Sequence, residues 1–240
     1  MKIAIVQIDS CAGDIPKNIE KHLAFAKKAA EMDADLVVFP ELSITGYEPT
    51  VAADLATEPS DPIFTPFQQF ANEKEVIIVI GMPLKTAEKP QIGLGIFRPS
   101  SPPAAYAKML LDPDELPYFS AGNQPMIIEH KNQRIALAIC YESQQESHLC
   151  QLLELQPTAY LASVALPKRG VEKSHRHYAA MAAKYKIPIL MSDNIGQHDV
   201  YDCGGCSGVW DQRGELKMAL DGESEGGIIY DLETGNAKVI

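Results

Sequence analysis

Leu36-Val37-Val38-Phe39-Pro40-Glu41 is an apolar run that ends on a proline and delivers an acid, and Ile135-Ala136-Leu137-Ala138-Ile139-Cys140 repeats the design with a thiol at its end. Uninterrupted apolar runs of this kind suit strands covered on both faces, as in a sheet sandwiched between other layers. Outward from these two runs, strand and helix alternate. Ile3–Ile8 reads as a strand, and Asp14-Ile15-Pro16 supplies a cap-like acid and an early proline before a helix to about Met32, with Ile19, Leu23, Ala26 and Ala30 at helical spacing. Phe64–Asn72 reads as helix and Val76–Ile80 as strand. Further strands are expected near Gly93–Phe97, Met126–Glu129, Ala159–Ala165, Ile187–Ser192, Val209 and Ile228–Leu232, with helices at Gln144–Leu155 and Lys173–Lys186. The alternation argues an α/β layered fold. Neither Lys85–Pro90 nor Pro99–Pro103 is long enough for a linker, so one domain over residues 1–240 is expected.

The composition narrows the function classes. A formal charge of −11 opposes sequence-independent attraction to phosphate backbones or anionic lipid, so neither nucleic acid nor a membrane is expected as a partner. No apolar run reaches the ~18 residues of a membrane span, and Gln7 and Asp9 interrupt the opening run before a signal-peptide core forms. Five cysteines, an odd number in a chain of this length, favour a reducing compartment, and a cytoplasmic protein is expected.

In open α/β sheets chemistry collects beyond the carboxyl ends of strands, which singles out Glu41 and Cys140. Each alone has a bland reading, a loop acid or a buried thiol. With Lys108 in Tyr106-Ala107-Lys108 the three types make a nucleophile, a base and a fixed positive charge. Spacing alone does not bring them together. The segments Phe39-Pro40-Glu41 with Gly46-Tyr47, then Tyr106-Ala107-Lys108, then Ile139-Cys140-Tyr141-Glu142 resemble, in order, the three signatures of the nitrilase superfamily, the carbon–nitrogen hydrolases. The resemblance runs from Lys2–Gln7 to Gly205-Cys206-Ser207-Gly208-Val209 and Gly214.

That resemblance implies a four-layer αββα sandwich, with Cys140 as nucleophile, Glu41 as general base and Lys108 as stabiliser of the tetrahedral intermediate. It implies the Tyr141 amide as oxyanion donor and, through Glu115, Phe119 and Gly122, a second acid at Glu115, whose bland reading is a surface acid beside Asp112 and Asp114. Expected substrate contacts are Tyr47, Glu142 and Arg169, the last within the basic stretch Pro167–Arg176 where a bidentate pair with a substrate carboxylate is possible. The expected substrate is a small linear amide of ω-amidase or N-carbamoyl type, hydrolysed by a free-standing enzyme without cofactor or metal. A homodimer or higher homo-oligomer follows from the resemblance alone. Two departures stand out: Tyr141-Glu142-Ser143-Gln144-Gln145 lacks the arginine and Phe-Pro pair of many members, and Ala182-Ala183-Lys184-Tyr185-Lys186 replaces their Arg-Ala-x-Glu-Asn. Competing readings are a cysteine–histidine hydrolase using His148, His175 or His177, a non-catalytic binding protein on the same fold, and a metal site at Cys203-Gly204-Gly205-Cys206 with nearby histidines.

Overall fold

The computed structural model describes residues 1–199 and 202–240. Strands β1 (Lys2–Gln7), β2 (Leu36–Val38), β3 (Ile77–Leu84), β4 (Gln91–Phe97) and β5 (Ala104–Ala107) build most of one sheet. A second is built from β6 (Ile127–His130), β7 (Gln133–Ile139), β8 (Ala159–Val164) and β9 (Ile189–Asp193). A hairpin, β10 (Ile195–Gln197) and β11 (Asp202–Gly204), precedes β12 (Gly208–Trp210) and β13 (Leu216–Ala219) of the second sheet, and β14 (Gly226–Asp231) and β15 (Ala237–Val239) return to the first. The first sheet runs β15-β14-β1-β2-β3-β4-β5 and the second β13-β12-β9-β8-β7-β6. β1, β2 and β3 are mutually parallel, as are β7, β8 and β9, so the carboxyl ends of both central sets face one edge of the molecule.

The period-two alternation of strand side chains sorts the core into layers. Ile3 and Ile5 of β1 join Leu137 and Ile139 of β7 in the core between the sheets. Ala4 and Val6 point the other way, onto α1 (Ile15–Glu31), which contributes Ile19, Phe25, Ala26 and Ala29. Beyond the short α2 (Ala52–Leu55), α3 (Thr65–Lys74) adds Phe67 and Ala71 to the same outer layer. On the far side, Ala136 and Ala138 meet Leu149 and Leu152 of α4 (Glu146–Leu152) and Tyr178, Met181 and Ala182 of α5 (Val171–Tyr185). The order is helices, sheet, sheet, helices, the expected αββα sandwich. No helix among the described residues is long and apolar enough to cross a membrane.

The differences from the sequence reading are local. The helix expected at Gln144–Leu155 is a 3-10 turn, Cys140–Gln144, followed by α4 and a second 3-10 turn, Leu153–Leu155. Gln145 is extended between the first two, with φ −99° and ψ 110°. The short β5, β10, β11, β13 and β15 went unforeseen because residues such as Ala104–Ala107 have little strand propensity of their own and are held by pairing to β4.

Candidate active site

Side chains buried between the sheets are mostly apolar, and the polar exceptions gather at the carboxyl ends of the parallel strands. Ser163 Oγ of β8 donates to the Phe39 carbonyl at 2.8 Å, Ser192 Oγ of β9 to the Val6 carbonyl at 2.5 Å, and Asn194 Nδ2 to the Glu41 carbonyl at 2.8 Å. These bonds fasten one sheet to the other where the candidate residues emerge. Gly81 of β3 lies directly beneath the Pro40–Leu42 turn: a Cβ there would stand 2.0 Å from the Pro40 carbonyl oxygen. Asn194 follows the apolar strand β9 as Glu41 follows β2, so the strand-end rule that found Glu41 points to Asn194 as well.

Glu41, Lys108, Glu115 and Cys140 converge. Lys108 Nζ, wholly buried, donates to Glu41 Oε1 at 2.7 Å and to Glu115 Oε1 at 2.6 Å. Glu115 is 2% exposed, so the surface reading is wrong, and its burial is accounted for atom by atom. Its Oε1 also accepts the Tyr47 hydroxyl at 2.9 Å, while Oε2 closes a capping box by accepting the Asp112 amide at 2.8 Å. Glu41 Oε2, by contrast, is buried with no hydrogen-bond partner of good geometry, although the Cys140 thiol interacts with this carboxylate. Cys140 Sγ also faces the Ala165 carbonyl at 3.8 Å. Its backbone has φ +42°, a left-handed conformation uncommon outside glycine, and its carbonyl accepts Ser143 Oγ at 2.6 Å. The Tyr141 amide opens the 3-10 turn, where N–H groups lack intrahelical acceptors.

Burial pushes the Glu41 carboxyl up to about 7, although the Lys108 ammonium pulls it down. Burial alone would lower Lys108, but Glu41 and Glu115 outweigh it and hold the ammonium above its ordinary value. Burial, reinforced by the Glu41 charge, raises the Cys140 thiol well above the usual range despite Lys108. The resting site therefore favours a neutral thiol, beside a carboxylate able to take its proton and an ammonium that keeps its charge.

Above this cluster opens a cavity of about 370 Å³, lined by Tyr47, Glu115, Cys140, Tyr141 and Arg169 among others. Lys173 and His177 of α5 also face it, with Asp112 and Asp114 among the lining acids, and the sequence reading named none of these four as substrate contacts. No ion pair to Arg169 occurs among the described residues, whereas the neighbouring Lys168 is spent on Asp202 at 2.9 Å. Glu142 corrects an expectation. It is fully buried, does not line the cavity, and its two oxygens accept four hydrogen bonds from the protein itself.

Two of the three candidate histidines, His148 and His175, are otherwise engaged. His148 lies in the core between the Tyr106 and Tyr160 hydroxyls, at 3.1 and 2.9 Å. His175 Nε2 lies 2.9 Å from the Cys206 carbonyl oxygen rather than engaging the thiol, while Cys203 is buried in β11. His177 reaches the cavity, but no hydrogen bond joins a histidine to Cys140 among the described residues.

A family model described as carbon-nitrogen hydrolase matches residues 2–238. Among curated proteins, the glutamine-dependent NAD(+) synthetase of Acinetobacter baylyi is 26% identical over 229 residues, 90% of this chain but 41% of the synthetase. The chain thus spans less than half of that relative. A probable nitrilase of Schizosaccharomyces pombe is 25% identical over 98% of this chain and 90% of its own length. Among solved structures, the NitN amidase from Nesterenkonia sp. AN1 superposes with a TM-score of 0.87 at 22% identity, covering 98% of this chain and 96% of that one. Another form of that amidase shows covalent addition of the acetamide moiety of fluoroacetamide at its active site cysteine.

Proposed function

The chain belongs to the carbon–nitrogen hydrolase family, and from that premise we propose that it is an amidase that opens small linear amides through a thioester on Cys140. The observation that carries this reading is a fully buried ammonium bonded to two carboxylates, one of which, Glu115, lines the cavity together with the Cys140 thiol. Glu41 takes the thiol proton as the sulfur attacks the amide carbon, and the oxygen that gains charge is met by Lys108 Nζ and the Tyr141 N–H. As the C–N bond breaks, Glu41 returns the proton to the departing ammonia or amine. The thioester is then cleaved by a water that Glu41 deprotonates, releasing the acid and restoring the thiol. Glu115, with both oxygens already engaged, holds Lys108 in place and does not move protons.

Arg169 and Lys173 give one side of the cavity positive charge that no described residue neutralises by an ion pair, which favours amides carrying a free carboxylate, such as dicarboxylic monoamides and N-carbamoyl amino acids. A second reading takes glutamine as the amide. It is favoured by the similarity to glutamine-dependent synthetases and by Asp112 and Asp114, which would suit a substrate with an ammonium as well as a carboxylate.

A panel of short neutral amides, carbamoyl amines, dicarboxylic monoamides and glutamine, read by ammonia release, tests both. Carboxylate-bearing amides should outperform neutral amides of equal length, and Arg169→Ala should raise KM selectively for the acids. Cys140→Ala should remove all turnover while preserving the circular dichroism spectrum and melting transition. Hydrolysis that survives Cys140→Ala overturns the reading, and Arg169→Ala indifferent to the carboxylate removes its substrate clause.

A further inference from the structure

Glu142 is a carboxylate with a full set of partners drawn from two places. Its Oε1 accepts the Ile139 amide at 2.8 Å and the Tyr106 hydroxyl at 2.6 Å. Its Oε2 accepts the Met109 amide at 2.7 Å and the Leu110 amide at 3.1 Å. Ile139 immediately precedes Cys140 in the second sheet, while Met109 immediately follows Lys108 at the end of β5 in the first, with Tyr106 on the same strand. One side chain therefore ties the thiol-bearing segment to the lysine-bearing segment. The Tyr106 hydroxyl is backed by His148 Nε2 at 3.1 Å, and His148 by the Tyr160 hydroxyl, so the clamp is itself held in a buried polar cluster.

We propose that Glu142 is a positioning residue whose carboxylate clamps the Ile139–Cys140 segment to the Lys108–Leu110 segment and so sets the placement of the thiol relative to the ammonium. The proposal rests on the reading of Cys140 and Lys108 given above, but its test needs no substrate. A buried acceptor with four donors cannot be replaced without stranding some of them, and a displacement of about 1 Å between reacting groups costs on the order of 10²-fold in rate. In Glu142→Gln one oxygen becomes an NH₂ group, which faces donors on whichever side it lands and loosens one half of the clamp.

The probe is iodoacetamide on the full-length protein, with the alkylation rate at Cys140 followed by peptide mass mapping and the exposed Cys150 as internal control. Glu142→Gln is expected to slow Cys140 at least tenfold and leave Cys150 unchanged. In a Lys108→Met background the same substitution should slow Cys140 by no more than about twofold further, because the alignment it protects is already lost. Glu142→Asp, which keeps the charge on a shorter side chain, should fall between the two. A folded Glu142→Gln protein alkylated at Cys140 within twofold of the native rate would overturn the proposal. So would equal slowing in both backgrounds, the signature of a purely structural brace. Should Glu142→Gln fail to fold, Tyr106→Phe, which removes one of the four donors, is judged by the same two comparisons with an expected slowing of about threefold. Amide hydrolysis that survives Cys140→Ala would sink the functional reading and leave this alkylation result standing.

Discussion

Of the two carboxylates bonded to Lys108, Glu115 has both oxygens committed and Glu41 has one in reserve. On the proposed reading that difference makes Glu41 the base, and it gives Glu41 two measurable signatures. Its carboxyl sits at about 7, so kcat/KM should fall on the acid side with an apparent pKa near that value, and Glu41→Gln should abolish turnover across the whole pH range. The second signature is in stability. An acid whose folded pKa lies above its unfolded value of 4.5 binds its proton more tightly when folded, so its ionisation costs stability increasingly from pH 4.5 to about 7 and by a constant amount above. Glu41→Gln should therefore gain in Tm relative to the native protein as pH rises through that window, as read by thermal melts at pH 4.5 and 8. A Glu41→Gln Tm that falls relative to that of the native protein as pH rises through the window would contradict the raised pKa. Glu41 and Cys140 were legible as reactive groups because each ends an apolar strand, a local pattern. Lys108 was legible only through family resemblance, since its partners lie 67 and 7 residues away. Glu142 was misread for the same reason: its place beside the thiol suggested a pocket wall, whereas three of its four donors come from residues 106–110.

At the scale of elements, β3 is a support for the turn that carries Glu41. Gly81 leaves room for the Pro40 carbonyl and the Leu42 amide, which a Cβ would approach to 2.0 and 2.4 Å. Both obstacles are backbone, so Gly81→Ala must push the whole turn aside. Overpacking of this kind costs about 1–3 kcal/mol, and denaturant unfolding should show that loss together with at least a tenfold fall in kcat. A Gly81→Ala enzyme of native kcat would mean that Glu41 tolerates the displacement. The sequence makes the long elements plain because their apolar spacing is strong. It hides the break at Gln145, where the chain leaves the 3-10 turn of the thiol before entering α4, because Gln144–Leu155 has helical composition throughout. The same blindness covers β5, whose pairing with β4 sets the position of Lys108.

Across the whole molecule, the four layers follow from alternation in the strands, and Ile3 against Ala4 already distinguishes the inner core from the outer one. What alternation does not reveal is how the two sheets are set against each other. Ser163, Ser192 and Asn194 do this by bonding backbone of the first sheet, and the reacting groups are divided accordingly, Glu41 and Lys108 from one sheet and Cys140 from the other. Trp210, the single tryptophan, packs against Tyr178 and His175 within the second sheet and its helix. On refolding from denaturant, its fluorescence should recover before enzymatic activity, since the optical signal needs one sheet and catalysis needs both. Activity that returned ahead of the fluorescence would contradict this order. The division also bears on the birth of the protein. β1 is paired on one side with β14, so the first sheet cannot close until residues 226–231 have left the ribosome. On the proposed reading, a nascent chain would carry Cys140 as an ordinary thiol until β14 arrives to complete the sheet that holds Glu41 and Lys108.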